Sequence, residues 1–315
     1  MKTLITGSMA FDTIMVFEDQ FKNHILPDQT HILNVSFFVP QMTRFRGGCA
    51  GNIAYTLKLL GGEPVIMATV GEDFGPYAKT LAELEIDTQY LKTIQGQFTA
   101  QAYIITDSDN NQINAFHPGA MNSAHENQVA QTQSIEYAIV GPDGHAGMLQ
   151  HCAQLAEQKI PFIFDPGQQT PLFDGDQLRT ILAQANCAVL NDYEAQLVQD
   201  KCGCSVNELA ELVEVLIVTR GAGGSEVYQN GAVVSVPVAP IGDLVDPTGC
   251  GDAYRAGLLI GLDKGLDWET CAKLGSVCGA IKIEQAGTQQ HEFTHKQFAE
   301  RYAAAYGQAC PLFDA

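Results

Sequence analysis

Strands alternate with helices through the middle of this 315-residue chain, and this alternation limits the possible folds more than any other feature. Short apolar runs at 137–140, 162–165, 188–190 and 215–219 are each followed by a helical pattern or a glycine-rich loop. Such an order predicts a parallel sheet covered by helices on both faces, with ligands at the carboxyl ends of its strands. Two aromatic segments, 13–46 and 95–118, interrupt the pattern and are expected to be irregular, except that 98–106 and 112–116 are predicted to form a hairpin around the turn residues 107–111. We predict one α/β domain over 1–315, with these segments forming a lid.

The composition excludes several classes of protein. Apolar residues make up 46% of the chain, enough for a substantial core. No apolar run approaches the roughly 20 residues of a membrane span, and the first residues lack the apolar stretch of a signal peptide. The net charge of −19 argues against binding to nucleic acid or to an anionic membrane. Nine scattered cysteines indicate a reduced, cytoplasmic protein without a structural metal.

Residues 246–252 read DPTGCGD and precede a helical pattern that runs to Leu262. A loop that enters a helix N-terminus points free N–H groups outward, and Gly249 and Gly251 allow an anion to approach the backbone. Asp252 is unexpected there, since a carboxylate repels a phosphate. Its presence suggests a base that takes a proton from a hydroxyl attacking that phosphate. The alternative is that Asp252 only caps the helix.

A second glycine motif, GGCAGN at 47–52, lies at another loop-to-helix junction. Gly47 and Gly48 let a substrate lie against the backbone, and the Asn52 amide can bind a hydroxyl as donor and acceptor. Asp12 follows the first strand and could accept hydrogen bonds from two vicinal hydroxyls. The alternatives are a glycine-rich turn with Asn52 at a helix start, and an exposed loop carboxylate for Asp12.

Two further strings follow strands on the nucleotide side, NDYE at 191–194 and TRGAGG at 219–224. The first can also be a helix cap with an acidic residue in the first turn. Arg220 could clamp a phosphate or form a surface ion pair. The chain has no GxxxxGK[ST] string and no GxGxxG in its first βα turn. The first absence argues against a P-loop nucleoside triphosphatase, and the second argues against a dinucleotide-binding dehydrogenase.

Taken together and in this order, the motifs resemble the signatures of the ribokinase-like (PfkB) family of sugar and nucleoside kinases. The resemblance covers essentially the whole chain and implies a central, mostly parallel sheet flanked by helices, with a small β-rich lid. It implies ATP and Mg²⁺ as cofactors. A K⁺ ion supporting the loops at 243–246 and 285–289 is left open, as is a homodimer through the lid.

The resemblance also implies a role for each motif residue. Asp252 would be the base, and the N–H groups of Gly249, Cys250 and Gly251 would hold the developing charge. Asp12, Gly47, Gly48 and Asn52 would bind the sugar. On the nucleotide side, Glu194 would act on Mg²⁺ through water, and the other residues expected to bind ATP are Asn191, Thr219, Gly221, Gly224 and Asp246.

Within the family, RGGCAGN at 46–52 and FHPGAM at 116–121 resemble bacterial adenosine kinases. Adenosine is therefore the expected acceptor, phosphorylated at its 5′-hydroxyl, and Phe116 is expected to stack on the purine. Packing is the expected role for most of the other lid aromatics. The alternatives are a ribokinase or other sugar kinase, a hydroxymethylpyrimidine or pyridoxal kinase, and a nucleoside-binding protein without activity.

Overall fold

The main sheet runs through the centre of the structure, a computed structural model that describes residues 1–25, 34–109 and 111–314. Its neighbouring strands are parallel except at one edge, where the last two strands form an antiparallel hairpin that also joins the rest of the sheet through an antiparallel pair. In spatial order the strands are β13 (Ala232–Val236), β12 (Ser225–Gln229), β11 (Val215–Thr219), β10 (Cys187–Asn191), β9 (Phe162–Phe164), β8 (Tyr137–Val140), β1 (Lys2–Thr6), β4 (Glu63–Val70) and β5 (Asp87–Thr93).

Two layers of helices cover this sheet. Alternate strand residues face opposite layers, so Leu4 and Ile5 of β1 lie in two separate apolar clusters. The cluster of Ile5 includes residues of α1, α2, α7, α8 and α9, and the cluster of Leu4 includes residues of α3 to α6. In the described residues the helices are α1 (Cys49–Leu59), α2 (Gly75–Glu83), α3 (His145–Gln158), α4 (Gly175–Leu182), α5 (Asp192–Cys202), α6 (Val206–Ala210), α7 (Cys250–Asp263), α8 (Trp268–Ile283) and α9 (His295–Tyr306). The predicted parallel sheet with helices on both faces is confirmed.

A second, four-stranded sheet is formed by the segments predicted to make a lid. Its strands, in spatial order, are β3 (Gln41–Gly47), β2 (Ala10–Val16), β6 (Ala100–Thr106) and β7 (Gln112–His117). The predicted hairpin of 98–106 and 112–116 is confirmed as β6 and β7. The expectation of irregular structure over 13–46 is wrong at both ends, where β2 and β3 are regular strands. Most of β3 is exposed, so it lacks the apolar alternation that marks a half-buried strand. Residues 26–33 and 110 lie outside the described residues.

The carboxyl ends of the central strands bring several candidate side chains to one edge of the main sheet. Asp165 follows β9, Asn191 ends β10 and Thr219 ends β11, with Asn191 and Thr219 in register. Beyond β1 the chain enters β2, so Asp12 lies on the lid sheet. Within the described residues, no helix is both long enough and apolar enough to cross a bilayer.

Candidate active site

Asp252 lies in the first turn of α7, where the helix leaves its backbone donors unpaired. Gly249 precedes the helix with a φ of 79°, a left-handed conformation that suits glycine. The Cys250 N–H donates to Pro247 O at 3.2 Å. Over the described chain, the N–H groups of Gly249, Gly251 and Asp252 have no backbone acceptor. The helix N-terminus therefore presents three free donors beside the carboxylate.

Asn52, on α1, positions the Asp252 carboxylate. Its Nδ2 donates to Asp252 Oδ2 at 2.8 Å, and its Oδ1 accepts from Gln289 Nε2 at 2.9 Å. Gln289 Nε2 also donates to the Tyr77 hydroxyl, which in turn donates to Gly47 O at 3.1 Å. Asn52, Tyr77 and Gln289 are all buried. The amide of Asn52 is thus held with a donor toward Asp252, while its oxygen is used by Gln289.

Burial raises the pKa of Asp252 to about 6. The hydrogen bond from Asn52 and the positive charge of Arg255 limit the rise, whereas the negative charge of Asp165 adds to it. A carboxylate with this pKa is ionised at neutral pH and still accepts a proton more readily than an exposed aspartate. The environment of Asp252 therefore suits a general base.

A buried ion pair fixes the start of α7 against the main sheet. Arg255 donates to Asp165 through Nε at 2.7 Å and through Nη2 at 2.9 Å. Its Nη1 donates to Gly251 O at 3.2 Å. The guanidinium fork matches the carboxylate geometry, so the pair holds the helix in a defined orientation. This contact positions the free N–H donors at the start of α7.

Asp12 projects from β2 against the backbone of Gly47. A Cβ at Gly47 would overlap the Asp12 carboxylate, which explains the absence of a side chain there. Gly48 has a φ of 86°, and a Cβ on it would meet the backbone of Ser8 and Ala10. Burial, and to a lesser extent the negative charge of Asp246, raise the pKa of Asp12 to about 6. The half-buried carboxylate thus lies on the side of the lid that faces the DPTGCGD loop.

One face of the lid sheet carries a row of four register partners. Phe45, Asp12, Ala102 and Phe116 lie opposite one another across β3, β2, β6 and β7. Residues in register point to the same face of a sheet. Phe116 is 56% exposed, and Phe45 packs against Gly287. The row therefore forms a surface with an aromatic ring at each end and a carboxylate between them.

The other lid aromatics lie elsewhere. Tyr103 is adjacent to Ala102 in sequence, so it points to the opposite face, where its hydroxyl donates to Gln101 Oε1. The Phe37 ring packs 4.9 Å from Phe17. Phe38 and Phe98 are exposed and lie outside the four strands.

Asn191 and Glu194 form a capping box at the start of α5. Asn191 Oδ1 accepts from Glu194 N at 2.8 Å, and Glu194 Oε2 accepts from Asn191 N at 2.8 Å. Burial and the nearby Asp165 raise the pKa of Glu194. One carboxylate oxygen of Glu194 is thus used by the cap, and the other remains for a water or a cation.

The glycine loop after β11 is open on its outer side. Nothing lies within 4 Å of a Cβ at Gly221, whereas a Cβ at Gly224 would overlap Val236 O. The Thr219 hydroxyl contacts Leu190 O at 3.4 Å. Arg220 pairs with Glu226 at 2.6 Å, so of the two interpretations of this side chain the surface ion pair is the one found.

Asp246 connects the DPTGCGD loop to the loop that follows α8. Its carboxylate accepts from Thr248 N at 2.9 Å and from Gly287 N at 2.8 Å. These bonds help to keep the pKa of Asp246 low despite its burial. The Asp246 backbone carbonyl accepts from Lys282 Nζ at 2.8 Å.

The described residues contain no group of three or more His, Cys, Asp or Glu side chains that could hold a metal by themselves. Mg²⁺ in such sites commonly uses one or two carboxylates together with substrate phosphates. The remaining oxygen of Glu194 fits that arrangement, because it lies at the same strand edge as the α7 donors. Both oxygens of Asp165 are occupied by Arg255.

Four contributors to this site were not found by sequence reasoning: Tyr77, Asp165, Arg255 and Gln289. Arg255 lies three residues after Asp252, and its position one helical turn along was a usable signal. Gln289 falls in the loop considered for K⁺, but its contact with Asn52 spans 237 positions. No local pattern predicts such a contact.

Residues 18–294 of the chain match the family model of the pfkB family carbohydrate kinases. The nucleoside kinase of Methanocaldococcus jannaschii is 32% identical over 272 residues, covering 85% of this chain and 89% of that protein.

Two solved structures show the same similarity over nearly the whole chain. Burkholderia thailandensis nucleoside kinase in complex with inosine has a TM-score of 0.89 and 45% identity, covering 98% of this chain and 99% of that one. The same protein in complex with ADP-inosine has a TM-score of 0.86 and 48% identity, covering 98% and 97%. With this fold, a helix N-terminus with unpaired N–H donors and a half-buried carboxylate beside it, the chain belongs to the pfkB family of carbohydrate kinases and is an ATP-using phosphotransferase that acts on an alcohol group.

Proposed function

We propose that this protein transfers the γ-phosphoryl group of ATP to the 5′-hydroxyl of a ribonucleoside, with adenosine as the preferred acceptor. The observation that carries the proposal is the row across the lid sheet. Asp12 offers a carboxylate for a ribose, and Phe116 offers an exposed ring two strands away on the same face. Strands in a sheet lie about 4.8 Å apart, so the two Cα atoms are separated by about 10 Å. A ribose on Asp12 would place its base near Phe116.

Asp12 would bind the 2′- and 3′-hydroxyls of the ribose. A carboxylate has two oxygens that can each accept one hydroxyl of a vicinal pair. The Gly47 backbone beside it leaves room for a sugar ring, since no side chain can stand there. Holding both secondary hydroxyls would leave the primary 5′-hydroxyl free to point toward Asp252.

Asp252 would act as the general base for that hydroxyl. As the proton moves to the carboxylate, the 5′-oxygen forms a bond to the γ-phosphorus, and the bond to the β,γ-bridging oxygen breaks to release ADP. The free N–H groups of Gly249, Gly251 and Asp252 would stabilise the negative charge on the transferred group. The Cys250 N–H, which we also expected in this role, donates to Pro247 O, so its part requires the loop to open. Mg²⁺, when bound, neutralises phosphate charge near Glu194.

The residues that would bind ATP lie on the nucleotide side of the site. They are Asn191, Thr219, Gly221, Gly224 and Asp246. Asn191 and Thr219 end neighbouring parallel strands, where ligands bind in open α/β sheets. Gly221 leaves open space above the loop. Asp246 acts indirectly, because its carboxylate holds the backbone of the DPTGCGD loop rather than pointing away from it.

Inosine is a second candidate acceptor, because the Burkholderia thailandensis neighbour was solved in complex with it. Adenosine and inosine share the ribose and differ in the six-membered ring of the base. The adenosine preference rests on the strings at 46–52 and 116–121, which border Asp12 and Phe116 respectively.

A coupled assay of ADP formation tests the proposal with adenosine, inosine, guanosine, cytidine, ribose, fructose, pyridoxal and hydroxymethylpyrimidine as acceptors. We expect the highest kcat/KM with adenosine and a low value with ribose and fructose. Equal turnover of ribose would identify a sugar kinase, and preference for a heteroaromatic alcohol would identify that class. Binding of adenosine without ADP formation from any acceptor would indicate a nucleoside-binding protein.

We also propose that the protein forms a homodimer through the lid. The lid sheet has β7 at one edge, and every residue of that strand is exposed in the monomer. An unpaired edge strand can pair with a second copy. Sedimentation equilibrium of the wild type and of an Asn114→Pro variant tests it, since proline removes an N–H from the middle of β7.

A further inference from the structure

Lys282 has an unusual environment for a lysine. It lies in the last turn of α8, and its side chain is 0% exposed. Its Nζ donates to the backbone carbonyls of Asp246 at 2.8 Å and of Gln285 at 3.0 Å. The Asp246 carboxylate lies 3.7 Å from the same nitrogen. A buried ammonium is costly unless it is paired and hydrogen-bonded, and here three oxygens surround it.

The two carbonyls belong to the two loops that shape the catalytic end of the molecule. Asp246 begins the DPTGCGD loop, which ends at Asp252. Gln285 begins the loop after α8, whose Gly287 N–H donates to the Asp246 carboxylate. Lys282 therefore lies where both loops meet and draws their carbonyl groups toward one positive charge.

The loop after α8 continues to the acceptor side of the site. The Thr288 hydroxyl donates to Arg46 O at 2.6 Å, and Gln289 donates to Asn52, which holds Asp252. A shift of this loop would move both the N–H donors of α7 and Asn52, which holds the Asp252 carboxylate. The junction at Lys282 thus has a direct route to the reacting groups, although the lysine itself does not contact them.

Backbone carbonyls and a carboxylate are oxygen donors of the kind that hold a monovalent cation. Here the ammonium of Lys282 already fills the space between them, so the residues present do not fit an added K⁺ at this point. We propose that Lys282 is a positioning residue whose ammonium group takes the place of a monovalent cation between the two loops, so that phosphoryl transfer needs no K⁺.

The wild-type enzyme provides the first test. Its kcat and its KM for ATP are measured at constant ionic strength in K⁺, Na⁺ and the bulky tetramethylammonium ion. We expect the same values in all three salts. A several-fold activation by K⁺ would overturn the proposal, whatever happens in any variant.

The second test removes the ammonium and leaves space for an ion. In tetramethylammonium, Lys282→Ala should lose about 10–100-fold in kcat, as for other residues that orient a functional group from outside. Addition of K⁺ or NH₄⁺ should restore a large part of it. A folded variant that keeps full activity without these ions, or one that neither ion restores, would contradict the inference. Lys273→Ala on the same helix is the control, because Lys273 pairs with Glu269 and should show no ion dependence.

This inference rests on the phosphotransferase activity and not on which nucleobase the acceptor carries. Any acceptor that the wild type phosphorylates can therefore be used in these assays. Binding of ATP, measured by calorimetry in the same three salts, separates the two proposals. If no nucleoside is phosphorylated, the proposed function fails. ATP affinity that rises several-fold in K⁺ would overturn the role of Lys282 independently.

Discussion

Asp252 Oδ2 lies 2.8 Å from Asn52 Nδ2, although the two residues are 200 positions apart in the chain. The contact joins the first turn of α7 to α1 and ties the DPTGCGD loop to the GGCAGN motif. Each motif by itself has an ordinary interpretation as a glycine-rich turn before a helix. Their direct contact, and the rise in the pKa of Asp252 to about 6, support one site built from both.

Asp252→Asn should lower kcat by on the order of 10²–10⁴, the usual contribution of a positioned base. The amide keeps the size of the side chain and can still accept from Asn52, so folding and adenosine binding should persist. Single-turnover kinetics together with calorimetric adenosine binding measure the two effects separately. Turnover close to that of the wild type would remove Asp252 from the mechanism.

The same substitution should stabilise the protein. Because burial raises the pKa of Asp252 from its ordinary value to about 6, the unfolded carboxyl ionises first, and the wild type loses stability as pH rises from about 4 to 6. An asparagine does not ionise. Above pH 6 the variant should therefore exceed the wild type in free energy of unfolding by on the order of 1–3 kcal/mol, with little difference at pH 4. Urea unfolding at both pH values checks this, with Asp176→Asn on the surface as the control. If the variant and the wild type differ in free energy of unfolding by the same amount at both pH values, ionisation of Asp252 does not affect stability as predicted.

The pH profile of kcat/KM should have an acid limb near pH 6. Asp252 accepts a proton and Asp12 accepts hydrogen bonds only when each is ionised, and burial raises the pKa of both to about 6. Activity should thus fall as pH drops through this value, with a slope steeper than one proton. In Asp12→Asn the slope should decrease to one. A flat profile between pH 5 and 8 would exclude both roles.

Asp12→Ala should weaken binding of the acceptor nucleoside and leave the KM for ATP unchanged. Each charge-assisted hydrogen bond to a ribose hydroxyl contributes roughly 1.5–3 kcal/mol. The sharpest measurement compares adenosine with 2′-deoxyadenosine. The wild type should strongly prefer adenosine, and the variant should lose that preference. If both enzymes discriminate equally, the vicinal hydroxyls are bound elsewhere.

Phe116→Ala should raise the KM for adenosine far more than the KM for ATP, since base–aromatic stacking contributes on the order of 1–3 kcal/mol. Tyr103→Ala is a matched control, because Tyr103 lies on the neighbouring strand but points to the opposite face of the lid. Ribose has no base, so its poor turnover should be the same in both variants. An equal effect of the two substitutions on adenosine would show that the lid acts through its stability and not through stacking.

The sequence by itself determined the class of fold and the order of the motifs. Continuous apolar runs such as 137–140, each followed by a helical pattern or a glycine loop, predict strands buried on both faces, and the glycines at 249 and 251 allow the backbone to approach another group closely. These signals are local, because they depend on a few consecutive residues. They predicted the parallel sheet, the β6–β7 hairpin and the candidate base.

Only the tertiary structure decided which distant residues act together. The strands β2 and β3 were not recognised, because most of β3 is exposed and neither sequence alternates apolar with polar residues. Their register nevertheless places Phe45, Asp12, Ala102 and Phe116 on one face. Gln289 and Lys282 gave no local signal, since a glutamine or a lysine in a helix or loop is ordinarily exposed. Their importance comes from burial and from contacts with residues distant in the chain, 237 positions for Gln289 with Asn52 and 36 for Lys282 with Asp246. Such contacts depend on how the layers pack and not on the residues beside them in the chain.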